Sequence, residues 1–221
     1  MTLALQMLGM KINGLFYGTE DISTYVDKGS KILGVILIVE MAFFVYFTPM
    51  KINWSAIKEK NEEMKKTLPI SIAISVLIVL SFIGFRLYMN SKNPAYKEIP
   101  MFGLYLSLHT RWLYPFSIAF QELFIKAFTQ DNIRTLIEEG GDSPSKKNDK
   151  KTVLLTSLVT AMFFYILHVQ YPLYYMTGAF VLCFVTGILY EKDRNIWGAV
   201  LVHFALGFLP RCFGVLQIIE G

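Results

Sequence analysis

Long apolar runs, separated by polar loops, constrain this chain more than any other feature of its sequence. A helix needs about 20 mostly apolar residues to cross the hydrocarbon core of a bilayer. Six stretches approach or exceed that length: 32–46 with its flanks, 70–89, 102–128, 153–169, 173–190 and 196–218. The composition agrees, because 54% of the 221 residues are apolar and only 17% are charged. We therefore predict an all-α, polytopic membrane bundle of about six transmembrane helices.

The sequence divides into three regions around these runs. Residues 1–30 open with an apolar segment that holds a lysine and an asparagine and lacks a signal-peptide cleavage site. We predict that it forms an amphipathic interfacial helix, with an additional span as the alternative. Residues 31–100 carry two peripheral spans and residues 101–221 carry the core, which a polar, glycine- and lysine-containing connector at 140–151 interrupts.

Lysines and arginines cluster in alternate loops. The loops between spans one and two, three and four, and five and six are basic, whereas the loop between spans four and five has no lysine or arginine. Because cytoplasmic loops are enriched in these residues, we predict that the basic loops face the cytoplasm of a multi-pass protein in a prokaryotic plasma membrane. This topology explains the net charge of +4, so we expect the bilayer as a partner and no nucleic acid.

A carboxylate, an amide and an amine lie close together in the third run. A charge near the bilayer centre costs several kcal/mol unless it is paired or lines a cavity. Glu122 and Lys126 are four residues apart, which on an α-helix places them on one face with the acid before the base. Gln121 points about 100° away from Glu122. The pattern predicts either an ion pair that holds the span in its bundle or a polar functional site.

Two histidines lie in later runs. His168 ends the sequence AMFFYILH with Phe164 one turn before it, and His203 lies in IWGAVLVHFALGF near the start of the sixth run. A single histidine in a membrane helix is more often a packing residue. Two histidines and an acid on three different spans instead indicate one shared polar cavity.

Three short motifs together resemble the CPBP family, the intramembrane CAAX-protease and bacteriocin-processing proteins also called Abi proteins. The family pattern is E-E-x-x-x-R on one span, F-x-x-x-H on the next, and H-x-x-x-N or H-x-x-x-D on a later span. The corresponding stretches here are QELFIK (Gln121 to Lys126), FYILH (Phe164 to His168) and HFALG (His203 to Gly207). The resemblance covers residues 100 to 210 and implies an endopeptidase that acts on a membrane-associated peptide or lipoprotein.

Two positions depart from that pattern. In the family, the first acid of the pair is taken to activate water beside the first histidine, and the last histidine and its Asn or Asp bind the oxyanion. Gln121 stands at the position of the water-activating acid, where an amide cannot accept the proton. Gly207 stands at the position of the Asn or Asp, so one oxyanion donor is missing. By position, Glu122 and Lys126 form the family's structural ion pair.

The resemblance leaves three functions open. The first is an endopeptidase, in which Glu122 beside His168 activates water and His203 polarises the scissile carbonyl. Four further residues would support this site: Gln121, Lys126, Phe164 and Gly207. The second is lipid or lipoprotein acyl transfer on the same scaffold, and the third is a non-catalytic binding or immunity protein. We expect a membrane-embedded or lipidated peptide partner and no cofactor. Zinc is disfavoured because the chain has no H-E-x-x-H sequence and Lys126 would compete for Glu122.

Overall fold

The computed structural model describes residues 35–36, 38–58, 62–103, 108–140, 149–169, 171, 173–215 and 218. Within these residues all regular structure is helical and no strand occurs. The predicted all-α class is therefore confirmed. The predicted interfacial helix of residues 1–30 and most of the predicted connector at 140–151 lie outside the described residues.

The helices follow the predicted apolar runs closely. In chain order they are α1 (Ile38–Phe47), α2 (Ser55–Lys58), α3 (Glu62–Lys92), a 3₁₀ turn (Pro94–Glu98), α4 (Leu108–Glu122), a π-helical segment (Leu123–Gln130), α5 (Asp131–Glu139), α6 (Lys150–Leu167), α7 (Leu173–Asp193), α8 (Trp197–Gly207) and α9 (Leu209–Cys212).

Among the described helices, α3, α6 and α7 are long and apolar enough to cross a membrane. Along α3 large apolar side chains are exposed rather than packed, which suits a helix that meets lipid: Ile70, Ile72, Val76, Leu77, Leu80 and Leu87. Such a surface would be poorly solvated in water. The chain is thus a membrane protein, and the count of six spans remains a prediction.

Two of the predicted spans differ from single long α-helices. The sixth run is divided at Phe208 into α8 and α9, and Pro210 follows directly, where its missing N–H and its ring disfavour an uninterrupted helix. The third run begins its helix at Leu108 and widens into the π-helical segment after Glu122. The helix then continues through α5 to Glu139.

The described residues form two compact units. The first consists of the residues up to 53 together with 127–188. In it α5 packs against α6, whose N-terminus is capped by the Asp149 carboxylate, which accepts a bond from the Thr152 N–H at 3.2 Å. Gln130 is fully buried and donates from Nε2 to the carbonyl of Gly187 at 3.0 Å. These bonds stabilise a region where buried polar groups need partners.

The second unit consists of residues 54–126 and 189–221. Its main interface joins α3 and α8, and small residues let the two backbones approach closely. A Cβ at Gly198 would lie only 2.7 Å from Ser71 Oγ, so a larger residue there would displace the Ser71 hydroxyl. The same α8 also packs against α4, and this second contact positions the candidate site.

Arg86 is an unexpected feature of the second unit. Its side chain is fully buried near the end of α3, and its guanidinium donates to three backbone carbonyls: those of Tyr96 at 2.8 Å, Gly214 at 3.4 Å and Ile99. A buried charge is tolerated only when polar groups solvate it. Arg86 therefore ties α3 to the loop after it and to the C-terminal segment.

Candidate active site

A buried carboxylate and a buried imidazole meet where α4 and α8 pack together. Oε1 of Glu122, the last residue of α4, lies 2.7 Å from Nδ1 of His203, the seventh residue of α8. The two residues are only 2% and 5% exposed. A charge-assisted hydrogen bond of this length in a region shielded from water is a strong interaction. The structure thus joins two of the three predicted catalytic residues.

The turn before α8 sets the rotation and height of that helix. The Trp197 indole donates to the carbonyl of Ile57 at 3.0 Å, and the backbone N–H of Ile196 donates to the carbonyl of Ala56 at 3.1 Å. The Asn195 side chain accepts from the Trp197 N–H at 3.0 Å, as an N-terminal capping residue does. Two of these bonds hold the start of α8 against α2, and His203 lies two turns later in the same helix.

The π-helical segment begins immediately after Glu122. π-Helical turns are rare and occur often at functional sites. Lys126 lies in this wider turn and is fully buried. Its positive charge interacts favourably with the Glu122 carboxylate four residues earlier. Glu122 is therefore surrounded by two basic groups, one of them in direct contact.

The second oxygen of Glu122 differs from the first. Oε2 is buried and accepts no hydrogen bond from any described residue. A buried carboxylate oxygen without a partner is costly, and such groups in native proteins occur where water, an ion or a reacting group binds. Oε1 is held by His203 while Oε2 has the capacity to accept a proton, which is what a general base requires.

His168, the third predicted catalytic residue, belongs to the first unit. Its Nδ1 lies 2.9 Å from the carbonyl oxygen of Phe164, and its ring contacts the rings of Phe164 and Tyr171 at centroid distances of 4.4 and 5.7 Å. Because a carbonyl only accepts, Nδ1 carries the proton, and in the neutral ring Nε2 is the basic nitrogen. The backbone of the F-x-x-x-H motif thus selects one tautomer.

The two departures from the family pattern occupy different surroundings. Gln121 is half-buried next to Glu122 on α4. At Gly207, a Cβ would lie 2.7 Å from the hydroxyl oxygen of Tyr114 and 3.4 Å from Cδ2 of His203. A tyrosine hydroxyl thus borders the space that a side chain at 207 would enter. Sequence reasoning missed Tyr114, although its position seven residues before Gln121 places it on the same face of the helix.

A metal site was disfavoured from the sequence. In the part of the chain that the structure describes, no three or more His, Cys, Asp and Glu side chains form a group that could hold a metal ion.

These observations define a class: an all-α membrane protein with a buried carboxylate–imidazole pair. Residues 112–209 match the family described as type II CAAX prenyl endopeptidase Rce1-like. The matched range is just under half of the chain and includes all three motifs. The family predicted from the three motifs is thus confirmed as a similarity over these residues. No curated protein and no solved structure matches the chain.

Proposed function

We propose that this protein is an intramembrane endopeptidase in which Glu122 activates water and His203 stabilises the oxyanion. The observation that carries the proposal is the buried pair of Glu122 Oε1 and His203 Nδ1 at 2.7 Å, together with the Oε2 atom that accepts no hydrogen bond from the described residues. The match to a family of CAAX prenyl endopeptidases supports the same reaction.

The proposed reaction uses the two carboxylate oxygens differently. Oε2 of Glu122 takes a proton from water, the water oxygen adds to the scissile carbonyl carbon, and the carbonyl electron pair moves to its oxygen. His203 is protonated, is held at Nδ1 by Oε1, and donates Nε2–H to the new oxyanion. Glu122 then transfers its proton to the leaving nitrogen as the C–N bond breaks.

Gln121 is the reason for assigning the base to Glu122. An amide has no site that takes up a proton near neutral pH, so the residue at the family's water-activating position cannot act as the base. Glu122 is adjacent to it, is buried, and has the required carboxylate. The participation of His168 rests on the family motif alone and is a separate prediction.

The substrate that the family name points to is a peptide with a prenylated CAAX carboxyl terminus. A prenyl group partitions into the bilayer because each buried CH₂ contributes about 0.8 kcal/mol, which would bring the scissile bond to a site within the membrane. A prenylated peptide therefore suits a peptidase embedded in the bilayer better than a water-soluble peptide does.

The proposal is tested by the cleavage of a farnesylated CAAX peptide by the purified protein in lipid nanodiscs. Mass spectrometry measures the released carboxyl-terminal fragment. Glu122→Gln should reduce turnover by about 10²- to 10⁴-fold, whereas the matched control Glu63→Gln, at an exposed site on α3, should leave it unchanged. Full turnover by Glu122→Gln would contradict the assignment.

The same assay separates the alternatives. The change at Gln121 favours a non-catalytic binding role, which would appear as peptide retention by the wild type without any cleaved product. Acyl transfer would appear as a mass increase of the peptide or lipid instead of a released fragment. In either case the peptidase proposal would be wrong.

A further inference from the structure

Gly207 is the feature of the site that the proposed mechanism does not use. It lies one turn after His203 on the same face of α8. A Cβ at this position would be 2.7 Å from the Tyr114 hydroxyl oxygen, a distance that real Cβ atoms essentially never show, and 3.4 Å from His203 Cδ2. The glycine thus gives a phenol hydroxyl room beside the imidazole.

These two distances also bound the separation of Tyr114 and His203. The Cβ position at Gly207 is 2.7 Å from the Tyr114 hydroxyl oxygen and 3.4 Å from His203 Cδ2. The hydroxyl oxygen and Cδ2 therefore cannot be farther apart than these two distances combined. Cδ2 is bonded to Nε2, the nitrogen that would face the oxyanion. The phenol O–H therefore lies within that combined distance of the ring carbon that adjoins Nε2.

The ring of Tyr114 is held in place by residues of the same unit. It stacks on Phe208 with a centroid distance of 5.8 Å and an interplanar angle of 29°. The Arg211 guanidinium lies over the ring, with Cζ 5.8 Å from the centroid. Aromatic stacking and a cation above the ring both restrict its orientation. A restricted donor loses little entropy when it binds a reacting group, which is the condition for efficient electrostatic catalysis.

We propose that Tyr114 is a catalytic residue whose hydroxyl donates a hydrogen bond to the oxyanion beside His203. The inference rests on the proposed endopeptidase function and deepens it. The phenol keeps its proton throughout: water adds to the carbonyl carbon, the carbonyl oxygen gains the electron pair, and Tyr114 O–H and His203 Nε2–H both point to that oxygen. A tyrosine from α4 thereby replaces the missing side chain at Gly207.

Tyr114→Phe removes only the hydroxyl and tests the proposal directly. We expect kcat for the farnesylated peptide to fall about 10²-fold, as for the loss of one oxyanion donor, with little change in KM. The matched control is Tyr190→Phe, because Tyr190 lies in the same unit and also has an arginine over its ring, with Arg194 Cζ 5.6 Å from the centroid. Tyr190→Phe should keep the wild-type kcat.

A peptidyl phosphonate, which imitates the tetrahedral intermediate, separates catalysis from a structural role. Tyr114→Phe should weaken phosphonate binding by about the same factor as kcat and leave binding of the uncleaved peptide unchanged, because only the intermediate carries the oxyanion. Equal weakening of both ligands would overturn the proposal and assign Tyr114 to packing.

Gly207→Ala tests the same contact from α8. The added methyl group collides with the hydroxyl at 2.7 Å but meets the ring carbon Cζ at 3.6 Å, an ordinary contact. Gly207→Ala alone should therefore lower kcat at least as far as Tyr114→Phe, while adding it to Tyr114→Phe should lower kcat no further. Additive losses would contradict the proposed position of the hydroxyl.

The outcomes distinguish this inference from the proposed function. If the wild type cleaves the peptide, Glu122→Gln does not and Tyr114→Phe retains the wild-type kcat, the role of Tyr114 is wrong and the peptidase proposal stands. If the wild type cleaves no peptide, both proposals are wrong.

Discussion

The two motif histidines, one in each unit of the molecule, have ring nitrogens with opposite kinds of partner. Nδ1 of His168 contacts a neutral carbonyl one turn earlier in its own chain, at 2.9 Å. Nδ1 of His203 contacts the buried carboxylate of Glu122 at 2.7 Å. A carboxylate stabilises the imidazolium, whereas a carbonyl mainly selects a tautomer. The contrast matches the role proposed for His203 beside an oxyanion, while a role for His168 rests on the family motif.

The largest effect should follow the loss of His203. In His203→Leu the Glu122 carboxylate loses its direct partner in a buried site, which typically costs about 3 kcal/mol or more. We expect a clearly lower thermal unfolding temperature in nanodiscs and a fall in peptide cleavage of about 10²- to 10⁴-fold.

A double variant distinguishes the charge effect from the loss of packing. Glu122→Gln in the His203→Leu background removes the carboxylate that has lost its hydrogen-bond partner, but also the negative charge that faces Lys126. It should therefore recover part of the lost stability and none of the cleavage. If His203→Leu unfolds at the wild-type temperature, the Glu122–His203 pair contributes nothing to stability. The different partners of His203 and His168 would then have no energetic consequence.

His168 should show a smaller effect that is confined to activity. His168→Phe keeps an aromatic ring next to Phe164 and Tyr171 and removes both ring nitrogens. We expect cleavage to fall about 10²-fold, as for the loss of one acid or base group, with an unfolding temperature within a few degrees of the wild type. Wild-type cleavage by His168→Phe would identify His168 as a packing residue.

The helical class and the family were predictable because they depend on patterns that extend over many residues. A long apolar run has few structural alternatives in a membrane, and the three motifs lie in the order and spacing of the family. The division of the sixth run at Phe208 was harder to anticipate, although Pro210 carries the local signal. The wider turn after Glu122 has no comparable signal, because no proline or glycine occurs in LFIKAFTQ.

The two residues of the candidate pair could be named from the sequence, whereas their contacts could not. Motif order identified Glu122 and His203, yet the third run offers two adjacent polar residues, Gln121 and Glu122, whose surroundings depend on helix rotation. Tyr114 was missed because the role proposed for it depends on the absence of a side chain at Gly207, on another helix. The space that Gly207 leaves lies on α8, so the sequence of α4 around Tyr114 contains no motif that indicates it.

The smallest effect should follow from restoring the family's residue at Gln121. Gln121→Glu adds a carboxylate at a half-buried position that successive helical residues place about 100° away from Glu122. If Glu122 is the working base, this second carboxylate should change the cleavage rate by less than about 10-fold, well below the effect of losing an acid or base group. The measurement is kcat for the farnesylated peptide, with Gln121→Ala as the control for loss of the amide.

The combination of Gln121→Glu with Glu122→Gln gives the sharpest form of this test, because it moves the only carboxylate of the pair by one residue. The carboxylate at position 121 would lie about 100° around the helix from the position that contacts His203 Nδ1, so the double variant should be as inactive as Glu122→Gln. A rate that instead rises to the wild-type level or above would show that position 121 holds the working acid. Glu122 would then be a partner that keeps His203 in place.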